Sequence, residues 1–187
     1  MPDSLSRSIE PTFLGWDGRA HGLVHALVAA VAQDGIFLAV ALVVAGAWWA
    51  ASGAAGDRAI DAFLRLVPGA VAVAIAFGLA HVAGLLLPES RPFVLLGQPA
   101  LFAHAPDASF PSDHVSGGMA LLASRVGPGT RMATALVVVA VGVARVVSGV
   151  HWADDIVGGA IMGLAVALLV SAGWSAALER APRLRRA

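Results

Sequence analysis

Three short segments carry almost every residue able to do chemistry: Glu89-Ser90-Arg91-Pro92, Pro111-Ser112-Asp113-His114, and the stretch from Arg145 to Asp155 that contains His151. Arg91 and Arg145 offer planar, permanently charged forks that match the oxygens of a phosphate. Ser112 adds a hydroxyl, and backbone N–H groups at the start of a helix beginning near His114 favour an anion. His114 and His151 supply the two roles that phosphoryl transfer then needs, a nucleophile and an acid for the leaving oxygen. His151 and Asp155 are four residues apart, a spacing that puts both on one face of a helix. A carboxylate there would hold the imidazole in one tautomer and stabilise its cation. Asp154, three residues from His151, competes for that role. Each residue alone has an ordinary explanation: Ser112 as a helix N-cap, His151 and Asp155 as a solvated pair, Arg91 as an interfacial anchor, Arg145 snorkelling to headgroups. Together, in order, at the ends of apolar runs, those explanations become a string of coincidences, because arginine at a membrane edge is costly and usually has a function.

The elements that must position these residues are membrane helices. The chain has 187 residues, of which 58% are hydrophobic and only 13% charged, against about a quarter charged in a soluble domain. Mean hydropathy is +0.81. A bilayer core about 30 Å thick needs roughly 20 apolar residues per helix, with every backbone amide satisfied inside it. Apolar runs cover residues 21–51 (interrupted at Gln33-Asp34-Gly35), 59–87, 115–123, 132–150 and 156–174. The expected fold class is all-α, a polytopic membrane helix bundle of five spans, with six as the alternative count. Pro88 to Pro111 is the longest stretch without a span, and Gly127-Pro128-Gly129 makes a tight turn. There is no internal repeat, no soluble domain, and no basic and apolar leader of the signal-peptide kind in residues 1–19. The absence of cysteine excludes disulfides and thiolate chemistry, and the net charge of zero speaks against nucleic acid as a partner.

All twelve basic residues are arginines, and their placement sets an orientation. With a cytoplasmic C-terminus, Arg58, Arg65, Arg125, Arg131, Arg180, Arg183, Arg185 and Arg186 lie inside. Arg7 and Arg19 then lie outside, as does the Pro88–Pro111 loop with the three reactive segments. Trp48, Trp49 and Trp174 fall near the inner interface. Of the remaining polar residues, His104 is expected to be solvated in its loop and His81 to be a packed core histidine. Glu89 has no role assigned to it.

Arg91-Pro92, then Pro111-Ser112-Asp113-His114, then Arg145-x5-His151-x3-Asp155 resemble the three-part signature of the type 2 phosphatidic acid phosphatase superfamily, which reads Lys-x6-Arg-Pro, Pro-Ser-Gly-His and Ser-Arg-x5-His-x3-Asp. The run from Ser109 to His114 is similar to that of bacterial undecaprenyl-diphosphate phosphatases of the bacitracin-resistance type. The resemblance implies one membrane-embedded phosphatase domain over residues 1–187, its core about 21–176 and residues 177–187 a basic cytoplasmic tail. It implies His151 as the nucleophile that forms a phosphohistidine, Asp155 as its orienting carboxylate and His114 as the acid for the leaving group. Arg91, Ser112, Arg145 and, by its place in the second motif, Asp113 fall to phosphate binding. No metal or other cofactor is implied. The implied partners are the lipid bilayer and a polyprenyl or glycerolipid phosphate; oligomeric state is left open. The implied reaction is hydrolysis of undecaprenyl diphosphate to undecaprenyl phosphate. Alternatives are a phosphatidic acid or phosphatidylglycerol-phosphate phosphatase, or a lipid-phosphate-binding or transferase descendant. Three positions depart from the pattern: Asp113 stands for Gly, Ala144 for Ser, and Gly84 for the lysine.

Overall fold

A computed structural model describes residues 22–53 and 56–180. Arg7, Arg19, His21, Arg183, Arg185 and Arg186, and with them the charge of both ends of the chain, lie outside the described residues. The described chain is helical, and its strand-like pairing is one isolated bridge, Ser90 with Ala108.

Helix α1 spans Leu23–Ala50 and continues as a 3-10 turn over Ala51–Gly53. It passes unbroken through Gln33-Asp34-Gly35, so the first apolar run is one helix. Helix α2, Arg58–Leu86, starts on an N-cap from Asp57, whose carboxylate accepts from the Ala59 and Ile60 amides. The short α3, Pro92–Leu95, follows Arg91 with proline at its first position, where a missing N–H costs nothing. Helix α4 is Asp113–Ala120, continued by a 3-10 turn over Leu121–Ala123. Helix α5 covers Pro128–Val147 and α6 covers Ala153–Arg180, so the last helix extends past the apolar run that ends at Trp174.

Four helices, α1 with its 3-10 extension, α2, α5 and α6, are long and apolar enough to cross a membrane. Their outward faces are apolar: Phe37, Trp49, Leu86 and Leu169 are 68%, 79%, 74% and 74% exposed, a surface that only lipid makes stable. The chain is a multi-pass membrane protein. The fifth run, at α4, is the exception in length. It packs against α2, α5 and α6, and past its end the chain runs extended with Ser124 and Val126 buried. The Arg125 amide then donates to the Arg65 carbonyl at 2.8 Å. Irregular backbone is tolerated at membrane depth where protein encloses it. The short α4 and its extended continuation therefore join the two ends of the bundle, packed among the four membrane-length helices.

One end of the bundle consequently gathers Arg58, Arg65, Arg125, Arg131 and Arg180. There Arg58 stacks 4.6 Å over the Trp48 ring and donates to the Trp48 carbonyl, and Arg131 donates to the Ser124 carbonyl. Small side chains let the helices approach: Ala72, Ala76, Ala120, Ala123, Val166 and Ala167 form one buried cluster, as expected where packing rather than water drives helix association. Helix α4 also lies tightly on α6. A Cβ built on Gly159 would stand 2.7 Å from the Ser112 carbonyl oxygen, and Gly163 lies against the Ser116 carbonyl. This contact brings the second reactive segment onto the third.

Candidate active site

The reactive segments meet at the opposite end of the bundle. Helix α5 is capped by Ser148, and Gly149 follows at φ +74°, a left-handed conformation that glycine adopts without penalty. This reversal lets the Val150 amide fold back onto the Arg145 carbonyl and sends the chain into His151. The loop from residue 88 to 111 is tied over it. The Phe93 amide donates to the Gly149 carbonyl, Leu101 to Ser148, and the Trp152 indole to Ser90.

His151 and Asp155 do not share a helical face. His151 precedes α6, whose first residue is Ala153, and Asp155 is the third residue of that helix. The Asp155 carboxylate turns back along the chain instead. Its Oδ2 accepts from the Trp152 amide at 2.8 Å, from His151 Nδ1 at 3.2 Å and from Ser109 Oγ at 2.7 Å. The arrangement is that of a capping box, in which the third helical residue serves the backbone before the helix, and here it serves the imidazole as well. Asp155 is wholly buried and His151 is 1% exposed. Asp154 is half-buried, and the bond to the His151 ring belongs to Asp155.

The ring nitrogens of His151 can be assigned from chemistry. Arg91 Nη1 lies 3.2 Å from His151 Nε2, and a guanidinium can only donate, so Nε2 accepts and carries the lone pair. Nδ1 then holds the proton and donates to Asp155. Burial pushes the His151 imidazole down to about 4, against the opposing pull of its hydrogen bond to Asp155, while Arg145 and Arg91 lower it further. A neutral ring with its lone pair on Nε2 is the form a nucleophile needs at neutral pH.

Both arginines are buried rather than snorkelling, at 4% for Arg91 and 2% for Arg145. Arg91 is braced on all three nitrogens: Nε to Asp107 at 2.8 Å, Nη1 to the Val150 carbonyl at 2.8 Å, and Nη2 to the Ala108 carbonyl at 3.1 Å. Arg145 donates from Nη1 to the Ala32 carbonyl of α1 at 3.0 Å, and its Nη2 lies 3.1 Å from His104 Nε2. Its Nε is buried without a partner, as is the Ser112 hydroxyl. Unmet donors in a protein interior carry a penalty of about 1–3 kcal/mol each. An arginine Nε–H and a serine hydroxyl left in this state at the site fit a tetrahedral anion. Ser112 is joined to the histidine segment through its amide, which donates to the Asp155 carbonyl at 3.1 Å.

The second histidine has its own carboxylate. Asp113 Oδ1 accepts from the His114 amide at 2.8 Å and lies 3.0 Å from His114 Nδ1. The structure thus gives Asp113 a contact with an imidazole, and an ionised carboxylate has no hydrogen to offer a phosphate oxygen.

His104 departs from the sequence expectation. Its side chain is 19% exposed, bonded to Arg145 and set near the Phe93 and Phe102 rings at 6.5 and 6.2 Å. Burial lowers the imidazole below its usual value more than the bond to the Ala105 carbonyl raises it, and Arg91 and Arg145 lower it further. Neutral His104 can accept from Arg145 and so fix that guanidinium. Asp107 on Arg91 and Ser109 on Asp155 are likewise site residues that motif spacing does not reveal. Their only trace in the sequence is that they lie in the long proline-rich loop.

The model of the PAP2 superfamily matches residues 65–178. YbjG of Escherichia coli (strain K12), whose assignment as an undecaprenyl-diphosphatase is itself provisional, is 35% identical over 112 residues, 57% of this chain and 56% of that protein. The undecaprenyl-diphosphatase BcrC of Bacillus subtilis (strain 168) is 30% identical over 102 residues, 49% of this chain and 53% of that protein. The chain spans about half the length of these curated relatives. Among solved structures, a PAP2 type phosphatidylglycerolphosphate phosphatase from Bacillus subtilis shares the fold with a TM-score of 0.65 at 20% identity, covering 92% of this chain and 88% of that one. Aquifex aeolicus LpxE does so with a TM-score of 0.67 at 18% identity, covering 90% and 95%.

Proposed function

This chain belongs to the PAP2 superfamily, and from that premise we propose that it is a lipid phosphatase that hydrolyses undecaprenyl diphosphate to undecaprenyl phosphate through a phosphohistidine. The observation that carries the reading is His151, neutral and buried, with Nδ1 on Asp155 and its lone pair on Nε2 beside Arg91. Nε2 attacks the terminal phosphorus and the N–P bond forms as the bond to the bridging oxygen breaks. His114, held at Nδ1 by Asp113, gives that oxygen a proton, and the lipid monophosphate leaves. Water then attacks the phosphohistidine, His114 takes the water's proton, and phosphate departs with His151 restored. Arg91, Arg145 through its free Nε, and the Ser112 hydroxyl hold the transferred oxygens, worth most in a site closed to water. The substrate class follows the names of the two curated relatives, both more similar in sequence than the two solved structures.

Phosphate release by purified protein from a panel of lipid phosphates, in the presence of EDTA, tests the reading. Release fastest from polyprenyl diphosphate is expected. Release fastest from phosphatidic acid or phosphatidylglycerol phosphate replaces the substrate, and no release from any lipid makes the chain a lipid-phosphate-binding descendant.

His114→Ala should slow turnover ~10²–10⁴-fold on lipid substrates, the usual worth of general acid help. Read as kcat/KM, which reports the step that forms the phosphohistidine and not its hydrolysis, the loss should be far smaller on p-nitrophenyl phosphate, whose leaving group needs no proton. Equal losses on both substrates would remove His114 from the acid role.

The site faces the outer side of the membrane in this proposal, because Arg58, Arg65, Arg125, Arg131 and Arg180 gather at the other end of the bundle. The chain has no cysteine, so single cysteines at positions 103 and 187 can be labelled from either side. Position 103 should react with an impermeant maleimide from outside and position 187 only after permeabilisation; the reverse pattern inverts the orientation.

A further inference from the structure

One ionisable residue of α2 has no part in the chemistry above. His81 lies near the site end of this membrane-spanning helix, is exposed, and has no hydrogen-bond partner among the described residues. Packed core histidines are enclosed and bonded; this one is neither. An ionisable side chain at membrane depth faces a polar cavity far more often than lipid.

Such a cavity is present. It has a volume of about 440 Å³, and its walls include Phe77, His81, Gly84, Leu85, Phe110 and Arg91. Arg91 is the link to the chemistry, since its Nη1 also touches His151 Nε2. The cavity thus adjoins the nucleophile with one guanidinium between them. Asp107 and Asp113 also reach it, but each carboxylate is engaged, Asp107 by Arg91 Nε and Asp113 by His114. His81 is therefore the polar side chain of this lining that has no partner among the described residues. Phe77 and Leu85, one turn to either side of His81 on α2, are 45% and 69% exposed, so the apolar wall is continuous with the lipid-facing surface of α2.

Gly84 is what makes the space. It lies three residues from His81, on the same face of α2. A Cβ there would meet Ala108 Cβ at 3.4 Å and the Phe110 carbonyl at 3.5 Å, ordinary contact distances, and its φ is not positive. Neither packing nor backbone conformation requires glycine at this position. What the missing side chain provides is room.

We propose that this cavity seats the leaving phosphate of a lipid diphosphate, with His81 as the donor that hydrogen-bonds it. His81 is thereby a specificity-determining residue that favours diphosphates over monophosphates. The inference rests on the phosphatase reading and names the subsite that reading leaves unassigned. With the terminal phosphorus at His151, the bridging oxygen and the second phosphate extend past Arg91 into the cavity. The lipid chain leaves over Phe77 and Leu85 into the bilayer. When the bond from the terminal phosphorus to the bridging oxygen breaks, that oxygen departs as part of the lipid monophosphate that His81 contacts.

The test compares kcat/KM of the full-length protein in detergent for farnesyl diphosphate and farnesyl monophosphate. His81→Ala should lower the diphosphate-to-monophosphate ratio roughly tenfold to a hundredfold, the worth of one charge-assisted hydrogen bond. His81→Gln, which keeps an N–H donor, should restore most of it. Gly84→Leu, which fills the cavity from the same face, should lower the ratio as His81→Ala does. A variant that merely folds poorly loses both activities together and leaves the ratio alone. A ratio unchanged in both His81→Ala and Gly84→Leu overturns the subsite while leaving the phosphatase reading intact. A wild-type protein that hydrolyses neither substrate overturns both.

Discussion

His151→Ala is expected to abolish phosphate release, with a loss on the order of 10⁶-fold, the scale seen when the nucleophile of a concerted catalytic unit is removed. The same variant should show no covalent phosphoenzyme after acid-free quenching with labelled substrate. The fold should survive the change. Asp155 keeps its bonds from Ser109 and Trp152, and Arg91 keeps Val150, Asp107 and Ala108, so no buried charge is stripped of all partners. Phosphohistidine trapped in His151→Ala would assign the nucleophile elsewhere. A companion measurement uses the low value of the wild-type imidazole. The nucleophile must be unprotonated, and burial holds its value near 4. Activity therefore falls only as the pH drops through about 4, where an unperturbed histidine would fail near 6.5. The acid limb of kcat/KM, which reports the free enzyme, is the place to read it. An acid limb near 6.5 would mean that the ring is not held as the geometry indicates.

Asp155→Asn should cost on the order of 10³–10⁴-fold in kcat, and Asp154→Asn less than about threefold. Asp155 Oδ2 takes three donors at once, from His151, Trp152 and Ser109. An amide in its place removes the negative charge that stabilises the cationic ring formed when Nε2 bonds phosphorus. If the amide turns its NH₂ toward Nδ1, it also forces the proton onto Nε2 and blocks the lone pair. Stopped-flow phosphate release, with helix content checked by circular dichroism, separates loss of chemistry from loss of the α6 cap. Comparable losses in the two variants would give Asp154 a share of the imidazole.

The sequence by itself determined the class of the molecule and the identity of its chemical groups. Long apolar runs can only be membrane helices, because lipid offers no partners for backbone amides. Arg91, Ser112, His114, Arg145, His151 and Asp155 are legible because their chemistry and spacing are local. The one-sided arginines are legible for the same reason, each lying next to a run that must end there. Where contacts are non-local, the chain order carried no signal. Ser109 reaches Asp155, Asp107 braces Arg91, and His104 caps Arg145 across separations of 46, 16 and 41 residues. These partners sit in a loop without periodicity, whose path is set by its bonds to Ser148, Gly149 and Trp152. Local reading also left open, or misread, features that packing decided. Gln33-Asp34-Gly35, compatible with one helix or two pieces, lies inside the single helix α1, and α4 stays short because its neighbours enclose the extended chain beyond it. His151 and Asp155 meet through a helix cap rather than a shared helical face. Only the tertiary structure decided that His81 faces a cavity instead of a core. Whether a helical histidine is enclosed or open depends on what stands opposite it, and here that is Gly84 with the returning loop at Ala108 and Phe110.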